Sequence, residues 1–149
     1  MRIAKLAGIS TLLVTSLCFV CAAQNKPEKT GPASDYSELA KAPAKYRAKA
    51  NPLGKDKDAV PAGKNLFEEH CAECHGENAS GTKKAPSLRA QEVQSAPPGT
   101  LFWILSNGIV RKGMPVWSKL PEPQRWQLIT FIQSLGPVEA VENKAAAKP

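Results

Sequence analysis

The sequence predicts an all-α fold in which three helices and long loops within residues 61–136 share one core. Two observations point to helices. Apolar residues in that span recur three and four positions apart, and no segment of useful length alternates apolar with polar residues as a strand would. A third observation concerns the core. A domain below roughly 70–80 residues rarely draws more than a few kcal/mol from its hydrophobic core and usually needs a disulfide, a metal or a comparable staple. The connection over 76–96 brings little apolar surface, so something besides side chains is expected to complete the interior.

Taken in chain order, residues 1–23 read as a secretory signal peptide. Arg2 and Lys5 precede an uncharged, mostly apolar run over 6–20, and Cys21-Ala22-Ala23 supplies small residues before the polar Gln24. The run falls short of the roughly 20 apolar residues that span a bilayer, so no integral membrane segment is expected after cleavage, and the mature chain is expected in the periplasm. Cleavage leaves 18 basic against 13 acidic side chains, a formal +5. That is mildly basic, and no segment interleaves basic runs with exposed aromatics, so nucleic acid is not an expected partner. Residues 24–60 form a Lys/Ala/Pro-rich linker and N-terminal arm. Within it an ordered stretch over 34–49 can pack Tyr36, Leu39 and Tyr46 on the domain.

The first helix is predicted to start near Pro61 or Ala62. It presents Gly63, Phe67, Cys71 and Cys74 on one side, with Lys64, Glu68 and Glu73 elsewhere. The second follows Pro97-Pro98-Gly99 and runs over 100–106 until Asn107-Gly108 stops it. The third opens at Pro121-Glu122-Pro123 and ends at Gly136. Leu128, Phe131, Ile132 and Leu135 form its stripe, and Trp126 and Ile129 add a second apolar flank, so burial on two sides is expected. Residues 137–149 read as a mobile tail rich in Ala and Lys.

The chemistry is concentrated in HCAECHG, residues 70–76. Four donors within six residues cannot surround one zinc ion, because tetrahedral sites draw their ligands from separated segments, and no second Cys or His cluster follows. A redox dithiol needs Cys-x-x-Cys at a helix N-terminus after a strand, whereas this motif comes at the end of a helix. A plain disulfide would close a loop of only four residues and constrain the unfolded chain little.

That disulfide stays open as the plain alternative; the third candidate is covalent haem, since Cys-x-x-Cys-His is its attachment sequence. On a helix Cys71 and Cys74 would lie about 60° apart and about 4.5 Å along the axis, so both thiols face one way, toward two porphyrin vinyl groups. His75 then reaches the iron, and the macrocycle supplies the missing apolar surface, at roughly 25 cal/mol per Å² buried. A low-spin iron needs a second axial ligand. The mature chain has one methionine, Met114, in the turn KGMPV, where Gly113 and Pro115 can aim its thioether.

Together these residues resemble a class I c-type cytochrome domain of the small bacterial kind. The resemblance rests, in order, on GKNLF (63–67), CAECHG (71–76), APSL (85–88), LFWI (101–104) with Asn107-Gly108, GMP (113–115), and Arg125-Trp126 through Leu135. It implies a cytochrome c-like fold around one haem c, with Cys71 and Cys74 as thioether tethers, His75 as proximal ligand and Met114 as distal ligand. It further implies that the Pro86 carbonyl accepts from the His75 ring and that Leu88 lies against the porphyrin. Gly63 and Phe67 should meet Phe131 where the first and last helices cross. Trp103, Trp117 and Trp126 are candidates for haem contacts, while His70 has no counterpart in the pattern and reads as surface or packing. One departure stands out: residues 61–136 contain no Tyr to bond the Met114 sulfur.

The expected function is single-electron transfer between redox partner proteins, with both axial positions filled and no open site for a substrate. Glu68, Glu69, Glu73 and Glu77 cluster apart from Lys83, Lys84, Arg89, Arg111, Lys112 and Lys119, so the basic side is expected to face an acidic docking patch. The alternatives are an electron-transfer subunit of a larger dehydrogenase or oxidase, and a small peroxidase-like haem enzyme.

Overall fold

The computed structural model describes residues 35–137. The expected signal peptide, the linker as far as residue 34, and the tail beyond residue 137 lie outside them. Among the described residues there is no strand, only an isolated antiparallel bridge between Ile109 and Met114. The α-helices are α1 (Ala44–Arg47), α2 (Ala59–His70), α3 (Ala72–His75), α4 (Gln91–Gln94), α5 (Pro98–Asn107) and α6 (Glu122–Ser134), with 3₁₀ turns at Ser37–Lys41 and Val110–Lys112.

The three long helices, α2, α5 and α6, are those the apolar spacing predicts. Both α5 and α6 carry a proline in the first turn, where a missing N–H forfeits no helical bond. Gly108, at φ 65°, ends α5, and its amide bonds to the Ile104 carbonyl. The first helix departs from expectation. It begins at Ala59 and stops at His70, and Cys71 at φ −122° and ψ −33° separates it from α3. The Cys71 carbonyl accepts from both Cys74 N (3.1 Å) and His75 N (2.9 Å), a tight local turn that gives the Cys-x-x-Cys-His motif its own short helix. The connection over 76–96 is also more ordered than its composition suggests. There α4 buries Val93, and Ala79 and Ala96 are buried on either side. Four helical residues are too few to leave a periodic signal.

Helices α2 and α6 cross closely because Gly63 lies against α6. A Cβ there would overlap the Gln127 carbonyl and come within 2.9 Å of Phe131 Cβ. Phe67, fully buried, meets Phe131 with ring centroids 5.4 Å apart, so the predicted crossing is observed. On α6, Trp126, Leu128, Ile129, Phe131 and Ile132 are all buried, and Trp126 stacks on Phe102 of α5 at 4.3 Å. The N-terminal arm packs across this core. Gly99 at the start of α5 faces Tyr46 so closely that a side chain would overlap the Tyr46 carbonyl. Farther along, Asn51 Nδ2 donates to Thr130 Oγ1 at 2.9 Å. Among the described residues no helix is long and apolar enough to cross a membrane.

Candidate functional site

A cleft of about 890 Å³ opens between α3, the loop over 80–88, α5, the turn over 109–117 and the N-terminal arm. Ligand and cofactor sites occupy roughly 300–1,000 Å³, so there is room for a large planar group. Leu88, Val93, Leu101, Ile104, Leu105 and Ile132 make much of the wall apolar. Cys71, Cys74, His75, Pro86, Leu88 and Met114 all line it, so the structure brings together six of the seven predicted site residues.

Each is placed by local backbone chemistry. After α3, Gly76 turns at φ 79° and the Gly81 amide returns to the His75 carbonyl at 2.8 Å. Gly81, at φ 85°, has no space for a Cβ, which would stand 2.6 Å from Ser87 N and 2.9 Å from the Pro86 carbonyl carbon. That close approach brings the Pro86 carbonyl to His75 Nδ1, 2.9 Å away. A carbonyl only accepts, so Nδ1 carries the proton and the Nε2 lone pair is left for a metal. Burial pushes the His75 pKa down, with the Pro86 bond pulling the other way. The loop closes where Leu88 N donates to the carbonyl of buried Ala79 at 2.9 Å.

Cys71 is half-buried, its thiol pushed up to about 11 chiefly by burial and secondarily by Cys74, while Cys74 is exposed on the rim. Met114 is presented by a separate device. It exchanges backbone bonds with Ile109 (3.0 and 3.3 Å), and Trp117 N bonds to Leu105 O at 2.9 Å, fixing the turn to the end of α5. Gly108 allows this, since a Cβ there would lie 2.6 Å from the Pro115 carbonyl oxygen.

Trp103 is the one predicted site residue that the structure does not bring to the cleft. Leu101, Ile104 and Leu105 share the face of α5 that lines the cleft, and Trp103 is not among the lining residues. It sits about 100° around the helix from Ile104, off the i, i+3, i+4 face. Trp126 is committed to the core, whereas Trp117 lines the cleft. His70, expected to be surface or packing, is half-buried against Trp117. It lines the cleft as well, its ring 5.4 Å from that of Trp117, because α2 ends there beside the turn that follows Met114. No three His, Cys, Asp or Glu side chains converge on a metal-sized site among the described residues.

Other lining residues come from outside the expected domain: Asp35, Tyr36, Glu38 and Leu39 of the arm. Tyr36 donates its hydroxyl to the Ser87 carbonyl at 2.9 Å. Lys112 Nζ lies 2.6 Å from Asp35 Oδ2 and 3.5 Å from Glu38 Oε1, and this holds the Asp35 carboxyl well below its ordinary range.

Residues 58–132, half of the chain, match the protein family described as cytochrome c oxidase, cbb3-type, subunit III. The chain belongs to that family. Two cbb3-type cytochrome c oxidase subunits CcoP resemble this cytochrome domain. The one from Azospirillum brasilense is 32% identical over 102 residues, covering 62% of this chain and 34% of that protein. The one from Azospirillum sp. (strain B510) is 32% identical over 101 residues, covering 61% and 33%. The chain thus spans about a third of the length of the curated relatives it matches. Among solved structures, cytochrome CL from the marine methylotrophic bacterium Methylophaga aminisulfidivorans superposes with a TM-score of 0.50 at 25% identity, over 67% of this chain and 75% of that one. The all-α fold is therefore that of a class I cytochrome c, a haem-binding electron-transfer domain. The cleft suits that cofactor, with apolar walls, a neutral imidazole and a thioether on separate segments, and two thiols at the rim.

Proposed function

We propose that this cytochrome domain holds one haem c, tethered by thioethers from Cys71 and Cys74 and ligated by His75 Nε2 and the Met114 sulfur, and carries single electrons after export to the periplasm. The observation that carries the reading is the convergence of a Pro86-held imidazole and a backbone-held thioether on one apolar cleft. When bound, the haem supplies a one-electron Fe(III)/Fe(II) couple, whose potential His/Met ligation raises relative to nitrogen-only ligation. The protein orients both ligands and keeps water from the macrocycle. The Pro86 carbonyl fixes the His75 tautomer and makes the imidazole a stronger donor.

The domain division that accompanies this reading is a signal peptide over 1–23, an arm to residue 60, the haem domain over 61–136 and a tail from 137. Its test is the absorption spectrum of the exported protein with pyridine haemochrome analysis. One haem per chain, a near-infrared methionine band near neutral pH and only weak cyanide binding are expected. A colourless product from a host competent in haem attachment would overturn the reading, and ready cyanide or peroxide binding would favour a peroxidase-like enzyme.

A second reading, an electron-transfer subunit of an oxidase, is favoured by the family match and by the CcoP relatives. Co-purification of a tagged chain with oxidase subunits from membranes supports it, whereas recovery of the chain alone in the periplasmic fraction supports the free carrier.

The docking expectation narrows. Lys84 pairs with Glu73 at 2.9 Å, Lys112 with Asp35, and Arg89 donates to the Leu135 and Gly136 carbonyls. Lys83, Arg111 and Lys119 make no ion pair among the described residues and remain to face an acidic partner. Electron-transfer rates indifferent to ionic strength would count against electrostatic docking.

A further inference from the structure

Tyr36, Asp35 and Glu38 come from the arm, outside the residues that match the family, yet they line the same cleft as its two candidate ligands. Tyr36 binds the carbonyl of Ser87, the residue next to Pro86, which holds His75. Asp35 and Glu38 both hold Lys112, two residues before Met114. A stretch of four residues therefore touches the segments that present both candidate ligands.

The stretch is itself anchored. Glu38 also pairs with Lys41 at 2.7 Å, and its side chain is only 14% exposed. Ala42 is buried, and Tyr46 lies against Gly99 of α5. The Met114 turn needs such support more than the His75 loop does. Residues 110–113 are exposed, Gly113 has open space around it, and the turn is held to α5 by the Ile109 bridge and the Trp117 amide.

We propose that this stretch is a positioning strap, which ties the Ser87 carbonyl to Lys112 and so keeps the Met114 sulfur on the iron. The inference rests on the His75/Met114 ligation proposed above. Tyr36, Asp35 and Glu38 act through the segments they tether and bond to neither ligand atom. The strap supplies from outside the domain a restraint that a tyrosine within it could have given. Each contact is small, since exposed ion pairs contribute little singly, but all act on one equilibrium between methionine-on and methionine-off forms. An added ligand binds the ferric protein in proportion to the methionine-off fraction, so that fraction can be measured directly.

The experiment compares the parent holoprotein with Tyr36→Phe, with Asp35→Asn/Glu38→Gln, and with the three substitutions combined. All are purified with haem attached, and cyanide titration and near-infrared spectra are recorded for each. Haem content, helical circular dichroism and the Soret band serve as folding controls. With those controls unchanged, cyanide affinity is expected to rise about three- to tenfold in the combined variant, with a weakened methionine band. In a Glu38→Gln background Asp35→Lys should raise cyanide affinity further, and adding Lys112→Asp should recover much of that change, which a role in general stability would not produce. Parent-like cyanide affinity and an intact band in the combined variant would overturn the strap and leave the ligand assignment standing. A parent protein that lacks the methionine band overturns the ligand assignment, and the strap with it.

Discussion

At Gly63 a single hydrogen in place of a methyl group sets the distance between the two longest helices. Gly63→Ala would drive a Cβ into the Gln127 carbonyl, and overpacking of this kind costs about 1–3 kcal/mol. Gly113→Ala meets no neighbour within 4 Å but must adopt φ 86°, which costs roughly 1–2 kcal/mol. Denaturant unfolding should show both variants destabilised, and only Gly63→Ala should do so by separating α2 from α6. Gly81→Ala acts on the site. It would push the 86–87 backbone away from His75, weaken the Nδ1–H bond and make the imidazole a poorer donor. The reduction potential is expected to rise, as voltammetry would show, and an unchanged potential would mean that the Pro86 carbonyl does not tune the ligand. Residue by residue, the sequence was most informative where chemistry is contiguous or unique. Residues 71–75 form one motif, and Met114 is alone in its chain after the initiator. The place of Trp103 was not legible, because a tryptophan beside a cleft-lining face looks the same in sequence as one on it. Tyr36 and Lys112 could not have been linked to their partners, which lie 51 and 77 residues away.

Helices α2, α5 and α6 were legible because each is long enough for apolar residues to repeat, and prolines mark the starts of two of them. The break at Cys71 was not. Nothing in HCAECH discourages a continuous helix, and the interruption is a departure of the Cys71 backbone to φ −122°. The four-residue helices α1 and α4 are decided by tertiary contacts, which spacing does not encode. The arm offers an element-scale test at Gly99. Gly99→Ala would overlap the Tyr46 carbonyl and lift the arm from α5. Trypsin should then cut faster after Lys41, Lys45 or Arg47, while cleavage within α6 stays slow. Equal cleavage of parent and variant would show that the arm is not held there.

For the molecule as a whole, the cleft is the main item in the stability balance. Its walls, including Leu88, Leu101, Ile104 and Leu105, need a large apolar partner to stay dry. Cys71→Ala/Cys74→Ala, which removes both proposed tethers, is expected to lower the thermal midpoint by roughly 10 °C or more and to broaden the transition. A sharp, parent-like melt from a haem-free product would show that the side chains close the core unaided. The prediction that this domain is too small to hold itself together came from length and composition alone, and the cleft supplies its physical counterpart. The pairing of α2 with α6 also bears on the order of events during biogenesis. The attachment motif is complete once residues 71–75 have emerged, but α2 has no partner to close on until α6 is made, almost at the end of the described chain. On the ligation proposed above, haem attachment at residues 71–75 would not need the α2–α6 pairing to be in place, and Met114 would not yet be fixed when the tethers form. Docking of the last helix would then be the step that turns a tethered, half-ligated chain into a finished carrier.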